Sequence, residues 1–107
     1  MKKIRIYEKL KGWKLKWYVA GWDDLDLARK WYEAGWDNPT SAMGFYEAGW
    51  LDPILALEWK KSGWSGIDAD YALKYYNKGF DPSEALHFFE DEGLRPDEAL
   101  EMMKNDV

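Results

Sequence analysis

At 107 residues, with a net charge of −5 and 47% apolar side chains, the chain has the size of one domain, and residues 1–107 read as one. No run approaches the ~20 apolar residues that span a bilayer, and the Lys-rich start lacks the apolar segment of a signal peptide. There is no cysteine for disulfide or thiolate chemistry, so the expectation is a cytoplasmic protein with no membrane association.

The chain opens on a basic segment. Residues 1–16 carry Lys2, Lys3, Arg5, Lys9, Lys11, Lys14 and Lys16 against Glu8 alone, a balance of +6, while the other 91 residues carry eight basic and 19 acidic side chains. The acidic body repels a polyanion and the basic segment attracts one, so these seven cations form a candidate nucleic-acid contact. Residues 1–9 read as a basic N-terminal arm. The next stretch fits two readings. Leu10, Trp13 and Trp17 share a helical face, whereas Trp13, Leu15, Trp17 and Val19 alternate as in a strand, with Lys11-Gly12 as a hairpin turn. We favour a divergent first helix, because Trp17-Tyr18-Val19-Ala20-Gly21-Trp22 copies Trp31-Tyr32-Glu33-Ala34-Gly35-Trp36.

From there a glycine followed by a bulky apolar residue recurs: Gly21-Trp22, Gly35-Trp36, Gly49-Trp50, Gly63-Trp64, Gly79-Phe80 and Gly93-Leu94. An alanine stands seven or eight residues before each of the last five (Ala28, Ala42, Ala56, Ala72, Ala85), and Ala99 opens a further unit. One small unit is repeated in tandem. Counted from the alanine, position +3 holds Trp31, Phe45, Trp59, Tyr75, Phe88 and Met102, and +4 holds Tyr32, Tyr46, Lys60, Tyr76, Phe89 and Met103. Positions +2 and +5 are mostly polar, so each unit is an amphipathic helix whose +3 and +4 residues are predicted to lie on the buried stripe.

The ends of each unit carry helix punctuation. Asp24, Asn38, Asp52, Asp68 and Asp81 stand four residues before the alanine as N-caps, with Pro39, Pro53 and Pro82 at the first helical position. Asp81 and Glu84 have capping-box spacing, whereas Arg95 is a poor cap for the last unit. The glycine suits the left-handed C′ position and puts the bulky residue at C″. Helices of about ten residues are marginal alone, so the units must stack. The expected fold is all-α: a tandem array over residues 10–107 of six to seven short helices joined by Gly-aromatic turns, forming a small α-solenoid or a compact globule. Ser65-Gly66-Ile67 lengthens one connection, and the array is expected to bend or change pitch there.

Residues 17–103 resemble arrays of short W-x-x-x-G-[FW]-…-A helical repeats, each about 14 residues, found in uncharacterised bacterial, phage and archaeal plasmid proteins. That resemblance implies an interaction or structural role. Residues 78–103 are also similar to ubiquitin-associated (UBA) domains in the spacing of Gly79-Phe80, Ala85, Phe88-Phe89, Ala99 and Met103, with Lys78 where that family carries methionine. This second resemblance implies contact with a ubiquitin fold through Gly79, Phe80 and Met103.

Groups for chemistry are sparse. His87, the one histidine, sits at the polar +2 position and reads as a solvated side chain. The pairs Asp24/Asp26 and Asp68/Asp70 read as a cap plus a first-turn acid, and Glu90-Asp91-Glu92 as a solvated helix end. No spacing gives a metal-ligand set, and the glycines close helices rather than opening them, unlike a phosphate loop. The expected function is a non-enzymatic protein-interaction or assembly module with no cofactor and no metal. Its candidate partner-binding residues are the C″ set, Trp22, Trp36, Trp50, Trp64 and Phe80, either as a partly exposed aromatic edge or as clamps over their own turns. The alternatives are docking on nucleic acid through the basic segment, a UBA-like site, and self-association of that segment with the acidic body of a second copy.

Overall fold

A computed structural model describes residues 10–105. These form seven helices: α1 (Trp13–Val19), α2 (Leu25–Glu33), α3 (Pro39–Glu47), α4 (Pro53–Lys61), α5 (Ala69–Asn77), α6 (Pro82–Leu86) and α7 (Pro96–Asn105). A 3-10 turn, Gly66–Asp68, precedes α5, and a π turn, His87–Asp91, continues α6. Among the described residues there is no strand, so the expected all-α array of short helices stands. The hairpin alternative at Lys11-Gly12 does not: Gly12 turns the chain directly into α1, and Trp13–Val19 is helical. The basic arm, residues 1–9, lies outside the described residues.

The predicted caps form at four of five sites. Asp24, Asn38 and Asp52 each accept from two first-turn amides, and Asp81 accepts from the amide of Glu84 at 2.7 Å. Asp68 makes no cap bond. It belongs to the 3-10 turn, which runs straight into α5 and denies Asp68 the extended backbone of the working caps. At α7 the half of a capping box that Arg95 allows is present, its amide donating to Glu98 Oε1 at 3.0 Å.

At Gly21, Gly35, Gly49, Gly63 and Gly79, which close α1 to α5, the glycine has positive φ and the paired Schellman bonds close the helix. In α4, Trp64 N donates to Trp59 O at 3.3 Å and Gly63 N to Lys60 O at 3.0 Å. Gly63 meets a second demand: a Cβ there would come within 2.7 Å of Leu86 Cδ2 on α6. Helix n thus closes against helix n+2. The contacts α2–α4, α3–α5 and α5–α7 repeat this rule, so the helices stack in an odd-numbered and an even-numbered row.

The alanines are what let the rows approach. Ala28, Ala42, Ala56, Ala72, Ala85 and Ala99 are all fully buried, at sites where a larger side chain would hold the helices apart. Between them runs an unbroken chain of rings in which +3 and C″ residues alternate: Trp17, Trp22, Trp31, Trp36, Phe45, Trp50, Trp59, Trp64, Tyr75, Phe80 and Phe88. Successive centroids lie 5.2–5.9 Å apart, the range of favourable aromatic pairs. This ladder is the core, and it draws the molecule out to 60 × 22 × 19 Å. Its radius of gyration of 16.8 Å exceeds the about 13 Å of a compact 100-residue domain, so the globule alternative is set aside.

Two irregularities are absorbed locally. Ala85 to Gly93 spans eight residues where the other units span seven, and the π turn His87–Asp91 takes up the extra one. Leu94 N still reaches Phe88 O at 2.9 Å, so the closing turn is kept. The long connection Ser65-Gly66-Ile67 folds back onto α3, where Gly44 makes room: a Cβ on Gly44 would lie 3.0 Å from Gly66 Cα.

Candidate functional site

The C″ residues do not form an exposed edge. Trp22, Trp36, Trp50, Trp64 and Phe80 are 1–4% exposed and belong to the core, so the proposed partner-binding row is corrected to a set of internal clamps. The reason is a partner that lies far along the chain. Trp22 Nε1 donates to Pro39 O at 2.9 Å, Trp36 to Pro53 O at 2.9 Å, Trp50 to Ala69 O at 2.8 Å and Trp64 to Pro82 O at 3.1 Å. Each indole closes its own helix and is pinned to the first residue of the helix two places on. Phe80 has no such donor, and at that level Tyr75 takes over, its hydroxyl donating to Leu94 O at 2.6 Å.

The most exposed aromatics among the described residues are the +4 tyrosines. Tyr32, Tyr46 and Tyr76 are 39%, 36% and 42% exposed, so the buried stripe is narrower than the sequence pattern predicts. Each nonetheless packs against rings of the ladder. Tyr46 packs on Trp22 and Trp31 at 5.5 and 6.0 Å, and Tyr76 on Trp50 and Trp59 at 5.8 and 6.1 Å. Tyr46 and Tyr76 share the odd row, on α3 and α5; Tyr32, on α2, leans on Trp17 and stacks flat on Trp13 at 4.4 Å. The sequence carried one signal for this, since Lys60 occupies +4 in α4 and a site that accepts lysine faces water.

Surface grooves repeat with the units, each where the C-terminal end of one helix meets the first turn of the helix two places on. One of about 590 Å³ is lined by Lys16, Val19, Pro39 and Thr40, and one of about 260 Å³ by Lys30, Glu33, Pro53 and Ile54. A third, about 370 Å³, is lined by Tyr71, Lys74, Lys78, Arg95 and Asp97. There Lys78 bridges to Asp97 at 2.8 Å and holds that carboxyl below the usual carboxylate range.

Of the candidate nucleic-acid contacts, Lys2, Lys3, Arg5 and Lys9 lie outside the described residues. Lys11 and Lys16 are exposed on the flank of α1 and Lys14 is half-buried; Lys16 Nζ donates to Asp37 O at 3.2 Å. The UBA-like residues converge: Gly79, Phe80 and Met103 line one small cleft of about 60 Å³ with Lys78, Glu84 and Leu100. Phe80, however, is 4% exposed. His87 is exposed, as expected of a +2 residue, and its Nδ1 lies 2.9 Å from Asp91 Oδ2 on the π turn. Among the described residues no group of histidine and acidic side chains is arranged to hold a metal ion, and no helix is long and apolar enough to cross a membrane. No known protein family matches the chain, and neither a curated protein nor a solved structure is similar to it.

Proposed function

We propose that the chain is a non-enzymatic protein-interaction or assembly module, a small α-solenoid that engages a protein partner through the tyrosines of its odd row. The observation that carries this reading is the pairing of exposure with packing on core rings at Tyr46 and Tyr76. Both meet water, and each rests on two core tryptophans. A tyrosine packed in this way offers a large amphipathic contact with little side-chain freedom left to lose on binding. The test compares tagged wild type with the Tyr46→Ala/Tyr76→Ala double variant and a Glu33→Ala control in quantitative co-purification. The double variant should lose partners that the control retains, at unchanged helicity. Equal recovery from all three refutes the tyrosine surface.

The convergence of Gly79, Phe80 and Met103 on one cleft favours a second reading, a UBA-like contact with a ubiquitin fold by α5–α7. Isotope-labelled ubiquitin titrated with the chain should show shifts that vanish for Met103→Asp. An unchanged spectrum rejects this site.

A further inference from the structure

We propose that the aromatic ladder conducts an electron hole through the core and discharges it at the partly exposed tyrosines. Tunnelling falls off exponentially with distance, so a series of ring-to-ring steps is far faster than one jump across the molecule. The ladder supplies such a series, and most of its rings are indoles, which are oxidisable side chains. Their surroundings keep the hole moving. The Nε1 hydrogens of Trp22, Trp36, Trp50 and Trp64 are bonded to backbone carbonyls, and Trp31 Nε1 is buried with no partner among the described residues. A carbonyl is not a base at neutral pH, so a radical cation on any of these five indoles keeps its proton and is not trapped there as a neutral radical. Buried Tyr75 is closed as an outlet for the same reason, since its hydroxyl faces the carbonyl of Leu94.

Tyr46 and Tyr76 are outlets. Each touches two ladder indoles and is exposed enough to release a proton to water. A one-electron oxidant, for which a ruthenium(III) polypyridyl serves as the probe, takes one electron from a ladder tryptophan and leaves its radical cation. Each neighbouring indole in turn gives an electron to the ring before it. At the tyrosine the phenol gives one electron to the adjacent indole cation and one proton to water, which leaves a neutral phenoxyl radical. A hydrogen-atom donor such as ascorbate restores the phenol. The net result is one electron moved from ascorbate to the oxidant and one proton delivered to water, with no bond changed in the core. Phe45 divides the path, because its ring lies between Trp36 and Trp50 at 5.2 and 5.9 Å and is not oxidisable under these conditions. Tyr46, together with Tyr32 on Trp17, therefore serves the N-terminal run of indoles and Tyr76 the C-terminal run.

The absence of native cysteine allows a single attachment point. Ser65→Cys, exposed and next to Trp64 in the chain, carries a ruthenium photo-oxidant that is flashed with an external quencher, and phenoxyl formation is followed by transient absorption and electron paramagnetic resonance. The radical should form on Tyr76 and vanish in Tyr76→Phe. Trp59→Phe, which keeps a ring at 59 but removes the oxidisable one, should slow its formation by at least an order of magnitude. In the Tyr76→Phe background, Phe45→Trp should restore a phenoxyl signal, now on Tyr46 or Tyr32, because it fills the gap. Thermal melts confirm that each variant folds. Formation at the parent rate in Trp59→Phe, a hole that stays on Trp64 in the parent, or no restored signal in folded Tyr76→Phe/Phe45→Trp overturns the proposal.

Discussion

Trp36 Nε1 donates to the carbonyl of Pro53 across 2.9 Å, tying the turn that closes α2 to the first residue of α4. The same indole packs between Trp31 and Phe45 in the ladder, so one side chain closes a helix, fills the core and sets the spacing between two units. Residues 17 positions apart are brought together by a helix that neither of them belongs to.

That relationship separates two tryptophans that look alike by burial. Trp31 and Trp36 are both fully buried, but Trp31 Nε1 has no partner among the described residues. Substituting phenylalanine at either site removes ring volume. At Trp36 it also removes a hydrogen bond, worth about 1 kcal/mol, whereas at Trp31 it relieves an unsatisfied buried donor. Urea unfolding should therefore place Trp36→Phe below Trp31→Phe by about 1–2 kcal/mol. Equal stabilities would mean that the Pro53 bond contributes nothing net.

Gly44 lies inside α3, where alanine would ordinarily add about 1 kcal/mol of helix propensity. Here the added Cβ meets the backbone of Gly66 at 3.0 Å, and backbone cannot rotate away as a side chain can. Gly44→Ala is expected to lose stability by about 1–3 kcal/mol as overpacking outweighs propensity. A rise in melting temperature would show that the Gly66–Asp68 turn is free to lift off α3.

The repeat, its caps and its glycine turns were legible in the sequence because each depends on local geometry. Asp24, Asn38 and Asp52 cap the amides two and three residues away, and Gly63 needs only its own positive φ to be recognised. What depended on distant packing was not legible. Asp68 has the spacing of a cap but stands in a 3-10 turn that docks on α3. Trp22, Trp36, Trp50 and Trp64 follow a glycine, as a solvent-facing loop residue would, and only the helix two places on buries them. The +4 tyrosines fall on the apolar stripe in sequence, yet helices so thinly covered bury +3 fully only at Trp31, Phe45, Trp59 and Tyr75, leave Met102 43% exposed in the last unit, and bury +4 in part. The extra residue between Ala85 and Gly93 was visible as a count. The π turn that absorbs it was not, because the count alone does not say where along the helix the backbone widens.

The ladder also fixes what the intrinsic fluorescence must report. Seven of the eight tryptophans are buried, and Trp13, stacked on Tyr32, is the half-exposed one. Native emission should be blue-shifted and largely shielded from iodide, with the small quenchable fraction lost in Trp13→Phe. If that fraction survives the substitution, the core tryptophans are reached by solvent and the ladder opens at equilibrium.

Tyr75 supplies a pH dependence of known sign. Burial pushes its phenol up from 10.0 to about 12, and the Glu98 carboxylate adds to the shift by opposing a second negative charge. In the unfolded chain the same phenol titrates near its ordinary value of about 10. Between these two values the unfolded chain has released the proton while the folded chain still holds it, so stability falls as pH rises through that window. This contribution is fully present below about pH 10 and is lost above about pH 12. Tyr75→Phe has no such proton to lose. It should start less stable at neutral pH, because it lacks the 2.6 Å bond to Leu94 O, and then lose less stability than wild type on going alkaline. Urea midpoints for both proteins at neutral pH and at about pH 11 measure the difference, and parallel losses would mean that Tyr75 ionises as readily in the folded chain as in the unfolded one.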